Sequence, residues 1–233
     1  MLICGLQKTT LLDYPGHVAA TIFTGGCNFR CPFCHNSDLL DPSAFPPEQI
    51  FSEEEVLAFL KKRRSVLEGV CITGGEPTLQ PDLSDLIRQI RRLGLLVKLD
   101  TNGSRPDILQ SLLEAGLLDY VAMDIKSSPS HYAEAAGTDA VPLSAVRESV
   151  LLLRNGRIPY EFRTTVVREL HSADDFREIG AWLAGDSAYY LQNYRDSEQV
   201  LERRFSSYKK EELEHFRQLL LPFLPRTELR GVD

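Results

Sequence analysis

The sequence predicts a parallel α/β fold, six strand–helix units forming an incomplete (β/α)6 barrel. Three observations predict it. Short apolar, β-branched runs alternate with stretches of helical period along most of the chain. Each helical stretch can serve as a right-handed crossover, and strands joined in that way lie parallel. The length, 233 residues, is in the range of α/β barrels and buries a substantial core, yet the unit recurs six times rather than eight.

The strands are placed at about 19–24, 70–73, 95–100, 119–125, 160–167 and 188–193. The helices are placed at about 52–67, 82–93, 106–115, 142–155, 172–184 and 209–221, with Asp82 and Ser172 as starts and Gly94, Gly116 and Gly156 as stops. A turn-forming loop with three prolines spans Asp38–Pro47. One domain is expected over 1–233: an N-terminal extension 1–18, a barrel core 19–193 and a C-terminal segment 194–233. Within that last segment, Tyr194–Glu214 mixes charge with aromatics and reads as a loop and a solvated helix, a partner surface being the other reading.

Composition is that of an ordinary soluble domain, 43% hydrophobic and 25% charged. A formal charge of −7 argues against non-specific nucleic-acid binding. The basic run Lys61–Arg64 reads as a solvated helix face. No apolar run reaches membrane-spanning length, and the apolar opening Met1–Cys4 is too short for a signal sequence. Five cysteines without a disulfide rhythm suggest a reducing, cytoplasmic setting.

Three of those cysteines, Cys27, Cys31 and Cys34, fall in one loop, CNFRCPFC, directly after the first strand. Iron–sulfur cubanes are normally held by four thiolates, so a cubane on three keeps one iron open to a reactant. Structural zinc is the other reading, but it wants four closed ligands, and His35 adjoins Cys34 too closely to be an easy fourth. A second segment, Gly74-Gly75-Glu76-Pro77, leaves the next strand. Two glycines admit a ligand close to the backbone, and one carboxylate suits an ammonium group; a plain βα turn is the bland reading.

In TIM-like parallel barrels, active sites gather at the C-terminal ends of the strands, where all these motifs fall. The later strands add charged residues two apart, hence on one face: Lys98 with Asp100, Asp124 with Lys126, and Glu161 with Arg163. Buried charges are costly unless paired or bound, so this set suggests a polar reactant pocket rather than an internal salt-bridge filling. Cys71 reads as a small buried hydrophobe, Cys4 has no assigned role, and Trp182 reads as core. His131, His171 and His215 read as surface residues, and His35 as a neighbour of the cysteine loop or solvated.

CNFRCPFC, with Phe33 before its last cysteine, followed by GGEP, resembles the radical S-adenosylmethionine superfamily. Lys8–Gly16 (KTTLLDYPG), His35-Asn36, Asp100-Thr101-Asn102-Gly103 and Asp124-Ile-Lys126 are similar to activating enzymes of glycyl-radical proteins. The opening stretch and Leu229-Arg-Gly231 look most like activators of anaerobic ribonucleoside-triphosphate reductase. The resemblance implies a radical SAM core with one [4Fe–4S] cluster on Cys27, Cys31 and Cys34, and S-adenosylmethionine cleaved to a 5′-deoxyadenosyl radical.

It further implies that Phe33 meets the adenine and that Gly74, Gly75 and Glu76 meet the methionyl amine. Asp100, Asp124 and Lys126 would organise the ribose and carboxylate end, with a monovalent cation, and Thr101 and Asn102 would also bind the cofactor. Arg163, Thr165 and Gln192, or Asn193, would reach the adenosine. The implied partners are the reductase's large subunit as the glycyl-radical enzyme and a flavodoxin- or ferredoxin-type electron donor, with no nucleic acid and no membrane.

Alternatives are a pyruvate formate-lyase type activase and a small-molecule enzyme of the 7-carboxy-7-deazaguanine synthase type. A zinc- or cluster-stabilised binding protein without catalysis is the reading from another class. Asn36–Phe51 has no further cysteines and none follows Cys71, so a single cluster is expected.

Overall fold

A computed structural model describes residues 1–233 apart from 42, 44, 139, 141, 142, 186 and 233. Its centre is one sheet of eight strands: β1 (Ile3–Thr10), β2 (Ala19–Thr24), β3 (Gly69–Gly74), β4 (Leu96–Thr101), β5 (Tyr120–Asp124), β6 (Tyr160–Val166), β7 (Ala188–Asn193) and β8 (Thr227–Arg230). Their spatial order is their chain order. β1 pairs antiparallel with β2, and every later neighbour pairs parallel. Among the described residues no ladder joins β8 to β1, so the barrel is open along one side.

Seven α-helices are described: α1 (Glu53–Arg63), α2 (Leu83–Arg92), α3 (Pro106–Glu114), α4 (Tyr132–Ala136), α5 (Leu143–Asn155), α6 (Ala173–Leu183) and α7 (Lys210–Leu220). The six predicted strands are β2–β7, and the six predicted helices are α1, α2, α3, α5, α6 and α7. The predicted start of α5 at 142 lies outside the described residues, as does Pro42 of the proline-rich loop.

Local chemistry explains the boundaries. Ser52 and Ser172 each close a capping box, with Glu55 and Asp175 answering, so α1 and α6 begin where their first backbone N–H groups find acceptors. Glu53–Glu55 open α1 and Lys61–Arg63 close it, matching the helix dipole at both ends. Gly94 and Gly116, at φ of 81° and 62°, end α2 and α3 in the left-handed conformation that other residues resist.

The core forms between the sheet and its helices. On β3, Val70 and Ile72 face outward into the apolar cluster with Leu86 and Ile90 of α2, whereas Cys71 and Thr73 alternate inward. β4 repeats this, with Val97 and Leu99 in the apolar cluster and Lys98 and Asp100 facing the lumen. Alternation thus gives each strand an apolar outside and a polar inside.

Three elements escape the sequence reading. β1 makes the N-terminal extension part of the sheet, although Gln7, Lys8 and Thr9 are exposed and blur any alternation. β8 has four residues and α4 five, each too short to show a period. Tyr194–Glu214 is a loop leading into the first turn of α7, and Leu213 of that turn is buried. α7 buries Leu213, Phe216 and Leu220, and Phe216 stacks on Phe176 of α6 at 4.6 Å.

α4 is short but positions the cysteine loop. It ends on Gly137 at φ 65°, and Arg30 donates its backbone N–H to the carbonyl of Ala136 at 2.9 Å. A Cβ on Gly137 would lie 1.9 Å from the Arg30 carbonyl oxygen. Gly137→Ala is expected to cost about 1–3 kcal/mol, from the left-handed φ and the clash together. Denaturant melts check this, and an unchanged midpoint would contradict the seating of the loop on α4.

Candidate active site

A cavity of about 940 Å3 opens at the C-terminal ends of the strands. Every candidate residue read from the sequence lines it. Cys27, Cys31, Phe33 and Cys34 enter from the loop after β2, and Gly74, Gly75 and Glu76 from the end of β3. Asp100, Thr101 and Asn102 enter from β4, Asp124 and Lys126 from β5, Arg163 and Thr165 from β6, and Gln192 from β7 with Asn193 beside it.

The cysteine loop is held from several directions. Cys34 N–H donates to the Cys31 carbonyl at 3.0 Å, closing a tight turn. The Arg30 guanidinium donates to the Cys27 and Phe29 carbonyls at 2.5 and 2.8 Å. The chain after β7 returns across the loop: Leu201 and Glu202 donate backbone N–H groups to Cys34 and Pro32, and Ser37 donates its hydroxyl to the Gln199 carbonyl. His35 Nε2 lies 2.6 Å from the Arg195 carbonyl oxygen.

Cys31 is buried, and Cys27 and Cys34 are half-buried. Burial pushes the Cys31 thiol up to about 12 against the pull of the Lys126 ammonium, and it raises Cys27 and Cys34 as well. Among the described residues no three Cys, His, Asp or Glu side chains gather as ligands of a single ion. Three thiols opening on one cavity are a donor set that an iron–sulfur cluster, which meets each sulfur at a separate iron, can take.

The exit of β3 is made by backbone proximity. Gly74 has φ 122°, and a Cβ there would sit 2.3 Å from the Thr24 nitrogen. On Gly75 a Cβ would sit 2.1 Å from the Gly26 oxygen, so β3 lies directly against the start of the cysteine loop. Glu76 N–H donates to that same Gly26 oxygen at 2.8 Å. The Glu76 side chain is 1% exposed and engaged by protein donors. Its Oε1 accepts from Thr78 N–H at 3.1 Å, the Thr78 hydroxyl, and the Thr101 hydroxyl at 2.7 Å; its Oε2 accepts from Asn102 N–H at 2.7 Å. Burial raises its pKa above the ordinary carboxylate value, against the pull of these donors. The carboxylate ties β3 to the DTNG turn of β4, a structural task beyond the ligand contact read from sequence.

Deeper in the lumen the charges pair across strands. Lys98 bonds Asp100, and Lys126 Nζ donates to Asp124 Oδ2 at 3.0 Å. Glu161 and Arg163 share a face but do not pair with each other. Arg163 spans Asp100 and Asp124 at 3.0 Å each, while Glu161 takes a forked contact from Arg230 at 2.8 and 3.0 Å and the Tyr120 hydroxyl at 2.9 Å. Burial alone would raise Asp124 and Asp100, but Arg163 with Lys126 and Lys98 outweighs it and holds both below the usual range. Arg230 also lies 3.3 Å from the centre of the Tyr190 ring.

Some single-residue readings change. His171 is not a surface residue: it is 3% exposed, its Nε2 lies 2.8 Å from the Lys126 carbonyl oxygen, and its ring meets Phe33 edge-on at 6.4 Å. Burial lowers its pKa. His131 is exposed but bonds Asp175 at 2.7 Å, and His215 stays exposed. Cys71 is buried as read, yet its sulfur faces Lys98 and Asp100 at 3.7 and 3.6 Å rather than apolar side chains. Cys4 is buried and free. Trp182 packs on Tyr132 at 6.1 Å.

Asn28, whose amide bridges Asn102 and Ser104 at 2.9 Å each, was not expected at the site, and the turn Leu11–Pro15, within the Lys8–Gly16 stretch that carries the resemblance, also lies at the cavity. The LLDYPG stretch and the polar residue after the first cysteine were the available signals. For Glu76→Gln, the amide would present N–H groups to Asn102 N–H or to Thr101, and a loss of about 1–3 kcal/mol of stability is expected. Thermal melts check it; an unaltered midpoint would show that the donors are not bound as described.

The sequence model of the Radical SAM superfamily matches residues 21–183. A Methanocaldococcus jannaschii protein provisionally described as a glycyl-radical enzyme activating enzyme is 27% identical over 240 residues, covering 100% of this chain and 97% of its own. A 7-carboxy-7-deazaguanine synthase of Methanopyrus kandleri is 33% identical over 138 residues, covering 51% of this chain and 52% of its own. Among solved structures, TYW1 with a lysine-pyruvate adduct bound superposes with a TM-score of 0.60 at 17% identity, covering 88% of this chain and 74% of that one, a likeness of fold alone. The chain belongs to the radical S-adenosylmethionine superfamily, whose members work with a [4Fe–4S] cluster and S-adenosylmethionine.

Proposed function

We propose that the protein is the activase of a glycyl-radical enzyme, with the anaerobic ribonucleoside-triphosphate reductase as its partner. Cys27, Cys31 and Cys34 hold one [4Fe–4S] cluster, and S-adenosylmethionine lies across the strand ends, its amine at Gly74, Gly75 and Glu76 and its adenine at Phe33. Asp100, Thr101, Asn102, Asp124, Lys126, Arg163, Thr165 and Gln192 bind and orient the remainder. When bound, the cluster would supply one electron to break the sulfonium C5′–S bond of S-adenosylmethionine, releasing methionine and a 5′-deoxyadenosyl radical that would take a glycine Cα hydrogen of the partner and leave as 5′-deoxyadenosine. The chain's own part is to bind, orient and exclude water.

The observation that carries this reading is that the three thiols of the CNFRCPFC loop open on the same cavity as the glycine-rich exit of β3. The end-to-end likeness to the M. jannaschii protein favours an activase. The opening KTTLLDYPG and the LRG ending favour the reductase as partner. A flavodoxin or ferredoxin is the proposed electron donor and the cytoplasm the proposed compartment. No described helix is long and apolar enough to cross a membrane.

The test is anaerobic reconstitution with iron and sulfide, reduction by dithionite, and assay of 5′-deoxyadenosine with and without the reductase. Cleavage that rises with the reductase, with a glycyl doublet in its paramagnetic resonance spectrum, is expected. Cleavage that never yields a glycyl radical but responds to a purine-like substrate would replace this reading with the deazaguanine-type enzyme. Cys27→Ala, Cys31→Ala and Cys34→Ala should each fail to hold the usual complement of about four irons, and Cys71→Ala should keep it. Tightly held zinc in place of iron would overturn the proposal.

A further inference from the structure

The resemblance that suggests S-adenosylmethionine also suggests a monovalent cation at Asp100 and Asp124, which project from neighbouring strands into one cavity. The side chains around them do not fit one. Each of the four carboxylate oxygens already faces a cationic donor. Asp100 Oδ1 accepts from Lys98 Nζ, and Asp100 Oδ2 from Arg163 Nη1 at 3.0 Å. Asp124 Oδ2 accepts from Lys126 Nζ at 3.0 Å, and Asp124 Oδ1 from Arg163 Nε, with Arg163 Nη2 also 3.0 Å away.

The guanidinium therefore lies between the two carboxylates, where a shared ion would sit. Its side chain is 18% exposed, Asp100 14% and Asp124 33%, so water screens the Asp100 contact least. Arginine suits this task because its fork is planar, donates in several directions at once and stays charged at any working pH. Lys98, Lys126 and Arg163 against Asp100 and Asp124 leave the group one positive charge in excess. An alkali ion would have to displace Arg163 and would then still meet Lys98 and Lys126 at short range in a partly desolvated site. The excess charge is left instead for an anionic group of the ligand.

We propose that the Arg163 guanidinium is the built-in cation of this site, bridging Asp100 and Asp124 so that S-adenosylmethionine binds without an alkali metal ion. The ligand named rests on the functional reading above; the occupation of the carboxylates does not.

The test uses the reconstituted holoprotein. S-adenosylmethionine binding is measured by calorimetry in lithium, sodium, potassium and tetramethylammonium chloride at one ionic strength. Dissociation constants agreeing within about twofold are expected, since the four salts screen alike. Affinity about tenfold higher in one alkali salt than in tetramethylammonium would overturn the proposal. Sodium-23 linewidths, recorded without S-adenosylmethionine, should show no saturable broadening by the natural protein; saturable broadening would overturn it.

Arg163→Ala should bind S-adenosylmethionine more weakly, with potassium, sodium or added guanidinium recovering about fivefold or more of the loss. A folded variant whose loss none of these ions recovers would mean that Arg163 acts by shape rather than charge, against the proposal. If Arg163→Ala does not fold, the natural protein's salt series and linewidths decide. No S-adenosylmethionine binding in any salt would defeat the functional reading, and the sodium linewidths would still decide this one.

Discussion

Charge that must be neutralised inside a barrel is the constraint on which the rest of this structure depends. Parallel barrels usually fill their lumen with branched apolar side chains in layers. Here the inward positions of β4, β5 and β6 carry Lys98, Asp100, Asp124, Glu161 and Arg163, and burying them unpaired would cost more than the fold can bear. Pairing across strands solves this: Arg163 joins β6 to β4 and β5, and Arg230 joins β8 to β6. Pairs of this kind consume their hydrogen bonds laterally and do not close the space above them. A cavity about 940 Å3 in volume is what remains.

The cysteine loop depends on that frame. The loop buries Phe29, Cys31 and Phe33 in the apolar core, and its backbone is held by neighbours: the Gly26 carbonyl on Glu76, the Arg30 amide on α4, and the returning chain at Leu201 and Glu202. The same neighbours line or flank the cavity, so loop and ligand pocket are fixed together. Preorganisation of this sort makes a cluster site specific, since the ligands are held on rigid elements instead of being gathered by the metal.

Much of this was legible in the sequence, for physical reasons that differ by element. β2–β7 and their helices show period and punctuation because each buries one apolar face, and the cysteine triplet and GGEP sit at strand exits where parallel topology brings them together. β8, with four residues, and α4, with five, carry too few residues for a period. β1 hides its alternation behind an exposed middle. The cross-strand partners were not legible either. Residues two apart share a face, but which carboxylate Arg163 reaches is set by the parallel register Asp124↔Arg163 and Asp100↔Ala122, which no local pattern encodes. His171 looked like surface because its partners are backbone groups, the Val167 N–H that donates to its Nδ1 and the Lys126 carbonyl beside its Nε2, that leave no mark in the sequence.

Three thiols holding a cubane would leave one iron open to S-adenosylmethionine, and the paramagnetic resonance spectrum of the reduced, reconstituted protein, recorded with and without S-adenosylmethionine, tests this. One cluster is expected, with a signal whose shape and g-values change when S-adenosylmethionine is added. A cluster signal indifferent to S-adenosylmethionine would contradict it.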